Sequence, residues 1–249
     1  MAGHNKWSKV KRFKGALDAK RGKLFSRFSK EITVAAKLGG GNPSMNPRLR
    51  AAIQAARSQS MPNDNIERAI KRGTGEIESQ AVEEIVYEGY APGGVALIVE
   101  TATDNRNRTA ADMRSIFSKN HGNLGGPGSV SFMFHRKGLI TVPTAAIGED
   151  QLLEIILEAG AEELTSDEEH HIITTPPDHL YAVAESLRKA GIEPDNQKLT
   201  YQPENSVAVT DENTAAQVLR LYDALDDCDD VLSVHANFDI SDEILAQVH

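Results

Sequence analysis

Hydrophobic positions recur with a helical period over the first third of the chain and largely with a strand period after it. From residue 18 to about 38, Leu24, Phe25, Phe28, Ile32, Ala35 and Ala36 fall on one side of a 3.6-residue helix. Asp18 is placed to cap it, and Gly39, Gly40 and Gly41 to stop it. Asn46-Pro47 reads as a cap followed by a first-turn proline, opening a helix whose inward residues are Leu49, Ala52, Ile53 and Ala56 and which Met61-Pro62 ends. A third helix over 63–72 carries Asp64 and Glu67 in its first turn and Lys71 and Arg72 in its last, as the helix dipole favours, with Gly73 closing it.

Beyond Gly75 the period shortens. Val95, Leu97 and Val99 mark a strand after the turn Tyr90–Gly94, itself preceded by a strand near 82–89. A helix over 105–119, capped by Thr103 or Asp104, turns Met113, Ile116 and Phe117 inward, and Val130, Phe132 and Phe134 predict a strand at 129–135. Next come a strand at 139–142, a helix at 149–159 with Leu152, Leu153 and Ile156 inward, strands at 162–165 and 171–175, a helix at 178–190 and a strand at 195–202. That is the β-α-β-β-α-β order of a ferredoxin-like unit. The flanking elements, with a strand at 206–209, a helix at 212–226 and a strand at 231–240, repeat the order around it. The expected fold is α+β. An N-terminal three-helix domain (1–78) precedes two ferredoxin-like α+β domains, one (137–203) inserted in the other (79–136 plus 204–249).

Charge changes the picture more than fold does. The net charge of the 249 residues is −9. Residues 1–75 hold 17 Lys and Arg against four acids, Asp18, Glu31, Asp64 and Glu67, a net +13; the remainder holds 10 basic and 32 acidic residues, a net −22. A basic block on an acidic carrier points to a polyanion as partner. The single Cys excludes an intrachain disulfide framework and a multi-Cys zinc site, and fits a reducing compartment. No stretch reaches the length of an apolar membrane span, and the N-terminus lacks the apolar centre of a signal peptide, so a cytoplasmic location is expected.

The candidate nucleic-acid-binding residues follow from that block. Lys6, Lys9, Lys11, Arg12 and Lys14 crowd the N-terminal arm, where Trp7 either packs on a neighbouring helix or adds a stacking platform for bases. On the first helix Lys20, Arg21, Lys23, Arg27, Lys30 and Lys37 contribute, and Lys23, Arg27, Lys30 and Lys37 form a stripe opposite the apolar face. Arg48, Arg50, Lys71 and Arg72 extend the basic exterior over the next two helices. In the acidic body, Arg106 and Arg108 stand at a helix N-terminus, where free N–H groups also favour anions.

Several segments closely resemble the YebC/PmpR family: MAGHNKW, DAKRGKLFSRFSKEITVAAKLGGG, NPRLRAAI, MPNDNIERAIKRGTG, YEGYAPGGVALIVE and TDNRNRTAADMRSIFSKN. The resemblance runs over nearly the whole chain and is densest over 1–135. It implies a three-domain protein. Members are described as probable transcriptional regulatory proteins, mitochondrial relatives as translational activators, and some bacterial members as ribosome-associated factors that relieve stalling on proline-rich nascent chains. In a family that engages the ribosome, the Gly-rich loop holding Gly122, Asn123, Leu124, Gly125, Gly126 and Gly128 becomes a candidate RNA contact. It lacks the Lys-Ser/Thr of a phosphate-binding P-loop.

Enzymatic readings find little footing. His170 and His171 would point to opposite faces of a strand and cannot hold one ion together. Asp226-Asp227-Cys228-Asp229-Asp230 lacks the Gly and terminal Glu of a calcium loop and reads as a solvated helix end, whose acids raise the Cys228 pKa. The expectation is a non-enzymatic regulator of gene expression that uses no cofactor or metal. Its partner is DNA or ribosomal RNA, through transcriptional control or, alternatively, translational activation on the ribosome.

Overall fold

The computed structural model describes residues 17–78 and 80–248, with side chains from residue 22 onward. Three helices open the chain: α1 (Leu17–Gly39), α2 (Pro47–Ser58) and α3 (Asn63–Thr74). Buried Asn46 joins the first two. Its Oδ1 accepts from Leu49 N–H at 3.0 Å, and its Nδ2 donates to the carbonyls of Ala35 and Gly40 at 2.8 Å. Leu49, Ala52, Ile53 and Ala56 are buried as the periodicity predicts, against Ile32, Ala35 and Ala36 of α1. Gly73 does not end α3. The left-handed residue is Gly75 (φ 81°). Gly73 is where α3 crosses α1, and a Cβ there would stand 2.3 Å from the Thr33 carbonyl oxygen.

The next domain is built on β1 (Glu83–Tyr90) and β2 (Ala96–Thr103), an antiparallel hairpin around a short 3-10 turn at Pro92–Gly94. Then come α4 (Arg106–Lys119) and a two-residue strand β3 (Asn123–Leu124) in the Gly-rich loop. After the second unit the chain returns with β8 (Val207–Ala208), α7 (Glu212–Asp226), β9 (Val231–Ala236), β10 (Phe238–Asp239) and a short α8 (Asp242–Val248). The sheet order is β3-β1-β2-β9. Leu97, Val99 and Val234 pack against Met113 and Phe117 of α4 and Val218, Leu221 and Leu225 of α7.

This is the ferredoxin-like arrangement with its strands drawn from different places than expected. The position predicted for 206–209 is filled by β1, while Val207–Ala208 pairs in parallel with Phe238–Asp239. The strand predicted at 129–135 is a 3-10 turn at Ser131–Met133, with Phe132 70% exposed. The reason is local. The Glu88 carboxylate accepts the N–H groups of Gly128, Val130 and Ser131, each at 2.8 Å, so these donors are withdrawn from any ladder.

One compact unit runs to Phe134 and resumes at Pro203; the other is His135–Gln202. The second contains β4 (Phe134–Pro143), α5 (Glu149–Glu158), β5 (Glu163–Ser166), β6 (His170–Thr175), α6 (Leu180–Lys189) and β7 (Asn196–Pro203). Its sheet order β5-β6-β4-β7 is the ferredoxin-like one. Ile140, Leu152, Ile156, Ile173, Val183 and Leu187 fill its core. Leu153, expected inward, is 39% exposed, because the buried face passes through its neighbour Leu152 and Ile156. No described helix is long and apolar enough to cross a membrane.

Candidate nucleic-acid interface

The α1 stripe is where sequence and structure part most sharply. Lys23, Arg27 and Lys30 do line one face, at i, i+4 and i+7. That face lies against the acidic turn that follows α7. Lys23 Nζ stands 3.4 Å from Asp227 Oδ1, Arg27 Nη1 3.2 Å from Asp226 Oδ1, and Lys30 Nζ 2.7 Å from Asp230 Oδ1. Lys30 also donates to the Asp229 carbonyl at 2.6 Å. The segment 226–230 is therefore not a solvated helix end. It is the body's half of a polar junction with the helical domain.

Asp230, only 4% exposed, is the centre of that junction. Besides Lys30, its carboxylate accepts from Arg108 Nη2 (3.0 Å) and Thr109 Oγ1 (2.6 Å). Burial alone would raise its pKa. The bonds from Lys30, Thr109 and Arg108 outweigh burial and hold it at about 2, against an ordinary 3.8. Arg108 divides its guanidinium between Asp230 and Asp104 (3.0 Å), and these bonds raise its pKa. The cap of α4 is Asn105, whose side chain accepts the Arg108 N–H, rather than Thr103 or Asp104.

A second tie runs through Arg48. Its guanidinium grips Glu31 of α1 (2.8 and 3.0 Å) and Glu84 of β1 (2.6 Å). Burial disfavours the Arg48 charge, but its bonds to both carboxylates win and raise the pKa. Lys37 donates to the Val82 carbonyl at 2.8 Å, and Arg50 is half-buried and engaged within the protein.

What remains open is elsewhere. Lys71 and Arg72, exposed on α3, form no ion pair among the described residues. With Arg68, which the sequence reading passed over, they share a face at i, i+3 and i+4. Arg57, in the last turn of α2, is likewise exposed. The i, i+3, i+4 spacing was the signal that could have found Arg68. Arg106, also exposed, lies near Tyr87, and its charge with that of Arg114 opposes the rise that burial gives the Tyr87 pKa. Lys6, Trp7, Lys9, Lys11, Arg12 and Lys14 lie outside the described residues, and the Lys20 and Arg21 side chains lie outside the described side chains.

The Gly-rich loop is held rather than pliable. Asn123 and Leu124 pair with Tyr90 and Gly89, Gly125 N–H donates to the Glu88 carbonyl (2.8 Å), and Tyr90 Oη donates to the Ser129 carbonyl (2.9 Å). Burial pushes the Glu88 carboxyl up, but three backbone N–H donors outweigh it and keep the pKa below the ordinary value. Gly126 and Gly128 are exposed at the tip. His171 is buried between Ser166 Oγ and the Ile147 carbonyl, whereas His170 meets Asp195 (3.2 Å). Burial, first, and the neighbouring acids raise the Cys228 pKa. Among the described residues no group of three or more His, Cys, Asp and Glu is placed to hold a metal ion.

Fold and site together define a basic helical domain tied by ion pairs to an α+β body that interrupts itself with a second ferredoxin-like unit. The family models of the TACO1/YebC N-terminal domain and of the TACO1/YebC second and third domain match residues 5–76 and 82–238. The chain belongs to the TACO1/YebC family. It is 55% identical to a "probable transcriptional regulatory protein" of Rubrobacter xylanophilus, covering 100% of this chain and 99% of the relative. It is 51% identical to one of Aquifex aeolicus so named, over 100% of both. The crystal structure of a conserved hypothetical protein from Aquifex aeolicus superposes with a TM-score of 0.84 at 52% identity, covering 92% of this chain and 95% of that one.

Proposed function

We propose that the protein is a nucleic-acid-binding regulator of gene expression that acts in the cytoplasm by binding rather than by catalysis. The observation that carries this reading is the exposed Arg68–Lys71–Arg72 face of α3, without an ion pair among the described residues, while Lys23, Arg27, Lys30 and Arg48 are bound to carboxylates. It sits in a block of net +13, beside a body of net −22 that repels other polyanions. The names of the relatives, probable transcriptional regulatory proteins, agree with this reading.

Ribosomal RNA is the second target class, and Arg48 favours it. Were α2 to enter a major groove, its first basic side chain would be the one to meet base edges, yet Arg48 is taken up by Glu31 and Glu84. Backbone-directed binding to a folded RNA needs no such helix. The test is equilibrium binding of the full-length protein to matched duplex DNA and to a structured ribosomal RNA fragment across a salt series. Cations that release counterions give a negative slope of log affinity on log salt. Equal weakness on both probes with no salt dependence would remove the reading.

A further inference from the structure

We propose that the α1 stripe Lys23–Arg27–Lys30 is a second polyphosphate-binding surface, kept covered by the acidic turn Asp226–Asp230 and uncovered when a nucleic-acid backbone displaces Asp226 and Asp227. The proposal rests on the function proposed above and adds a site to it.

Four observations carry it. The helical domain and the body have separate hydrophobic clusters: that of the helical domain draws on residues 25–70, and that of the body on residues 87–248. The polar ties between them are the three stripe pairs, Lys37 on the Val82 carbonyl, and Arg48 on Glu84. A junction made of ion pairs yields to competing charge, whereas a shared apolar core does not. Second, the pairs are graded. Side-chain exposures are 44% and 69% for Lys23–Asp227, 22% and 21% for Arg27–Asp226, and 21% and 6% for Lys30–Asp230. The outer pairs are the ones solvent screens, so opening begins at Lys23 and pivots on Asp230. Third, the spacing i, i+4, i+7 presents one continuous cationic face, with carboxylates standing where phosphates would bind. Fourth, a cleft of about 650 Å³ already opens there, its lining shared between Lys23, Lys30 and Arg108 and the acids Asp227, Asp229 and Asp230.

Neutralising the outer carboxylates separates this surface from mere structure. In the full-length protein, Asp226→Asn with Asp227→Asn leaves the Asp230 centre intact. Its affinity for a 20-base-pair RNA duplex, and for the DNA duplex of the same sequence, rises roughly tenfold at low salt, and the log–log salt slope steepens by about 2, one phosphate for each cation released. Lys23→Gln with Arg27→Gln lowers affinity less in the native background than in the Asn pair, because there each phosphate contact is made at the expense of an existing ion pair. Added to the Asn pair, it returns affinity and slope to the native values. The lone Cys228, half-buried in the same turn, gives an independent readout. Its alkylation by a maleimide quickens when saturating duplex is added to the native protein, and it keeps the native rate without duplex. Native binding with an unchanged affinity in the Asn pair and an unchanged Cys228 rate would overturn the covered surface while leaving the proposed function standing. Failure of native protein and Asn pair alike to bind either duplex would overturn both. Thermal melting of each variant confirms that a folded protein was compared.

Discussion

Lys30 Nζ lies 2.7 Å from Asp230 Oδ1, across about two hundred residues of chain, and Arg108 and Thr109 meet the same carboxylate. A single buried acid thus receives helix α1, the start of α4 and the entry to β9. Replacing Asp230 by Asn keeps the shape and removes the charge, leaving Lys30 and Arg108 without their common counterion. Breaking one side of a buried pair costs about 3–5 kcal/mol. Since Arg108 keeps Asp104 and is half exposed, about 2–3 kcal/mol is the expected loss, read from urea unfolding.

The same residue sets an acid limb. Its folded pKa of about 2 lies below the ordinary 3.8. A depressed carboxylate stabilises the fold above its unfolded pKa and loses that contribution as pH falls through the folded value. The native protein should therefore lose roughly 2 kcal/mol of stability between about pH 5 and pH 2 on account of Asp230. Asp230→Asn should be correspondingly flatter over that window. Equal slopes for the two proteins in chemical denaturation at stepped pH would show that Asp230 is not the group that titrates.

How much of this was legible beforehand varies with the kind of interaction. The helices of the basic domain announced themselves through local signals, the Asn46-Pro47 start and the Leu49–Ala56 spacing, because capping and amphipathicity are written within one element. The inserted unit was likewise readable from its element order. The source of the first sheet's strands was not. Nothing local shows that Glu88 will take up the N–H groups of Gly128, Val130 and Ser131, and the alternation of Val130, Phe132 and Phe134 imitates a strand. Nor could periodicity show which basic residues stay open. Lys23 and Lys71 look alike in sequence, and only tertiary pairing with Asp227 separates them.

Gly73 offers a direct comparison with Gly75. An alanine at 73 drives a methyl to within 2.3 Å of the Thr33 carbonyl oxygen, a backbone atom that cannot swing aside. Separation of α1 from α3 should cost about 1–3 kcal/mol or more. An alanine at 75 meets no atom within 4 Å and bears only the strain of φ +81°, about 1–2 kcal/mol. Thermal melting should rank native above Gly75→Ala above Gly73→Ala, and the reverse order would mean that the helix crossing relaxes.

Glu88→Ala removes the acceptor of three backbone donors at once. Unsatisfied buried donors cost about 1–3 kcal/mol each, and Gly128 recovers part of that from water because it is exposed. The expected result is a local loss. Amide exchange at Val130 and Ser131 should quicken roughly tenfold or more, while α1–α3 keep their protection. Uniform quickening throughout would instead assign Glu88 to global stability.

Charge reversal distinguishes the two basic faces. Lys23, Arg27 and Lys30 turned to Glu would set three acids against Asp226, Asp227 and Asp230, so this variant should melt well below the native protein, and any loss of binding would be confounded by a sprung junction. Arg68, Lys71 and Arg72 turned to Glu disturb no ion pair among the described residues and leave the buried Ile66 and Ala69 of α3 in place. That variant should stay folded, losing only about 1–2 kcal/mol from acids placed in the last turn of α3. Its nucleic-acid affinity should fall, and the log–log salt slope should flatten by about 3, one for each lost phosphate contact. A native slope in this folded variant would move the interface off α3 altogether. Arg106 and Arg57, two further exposed cations, would then be the next to reverse.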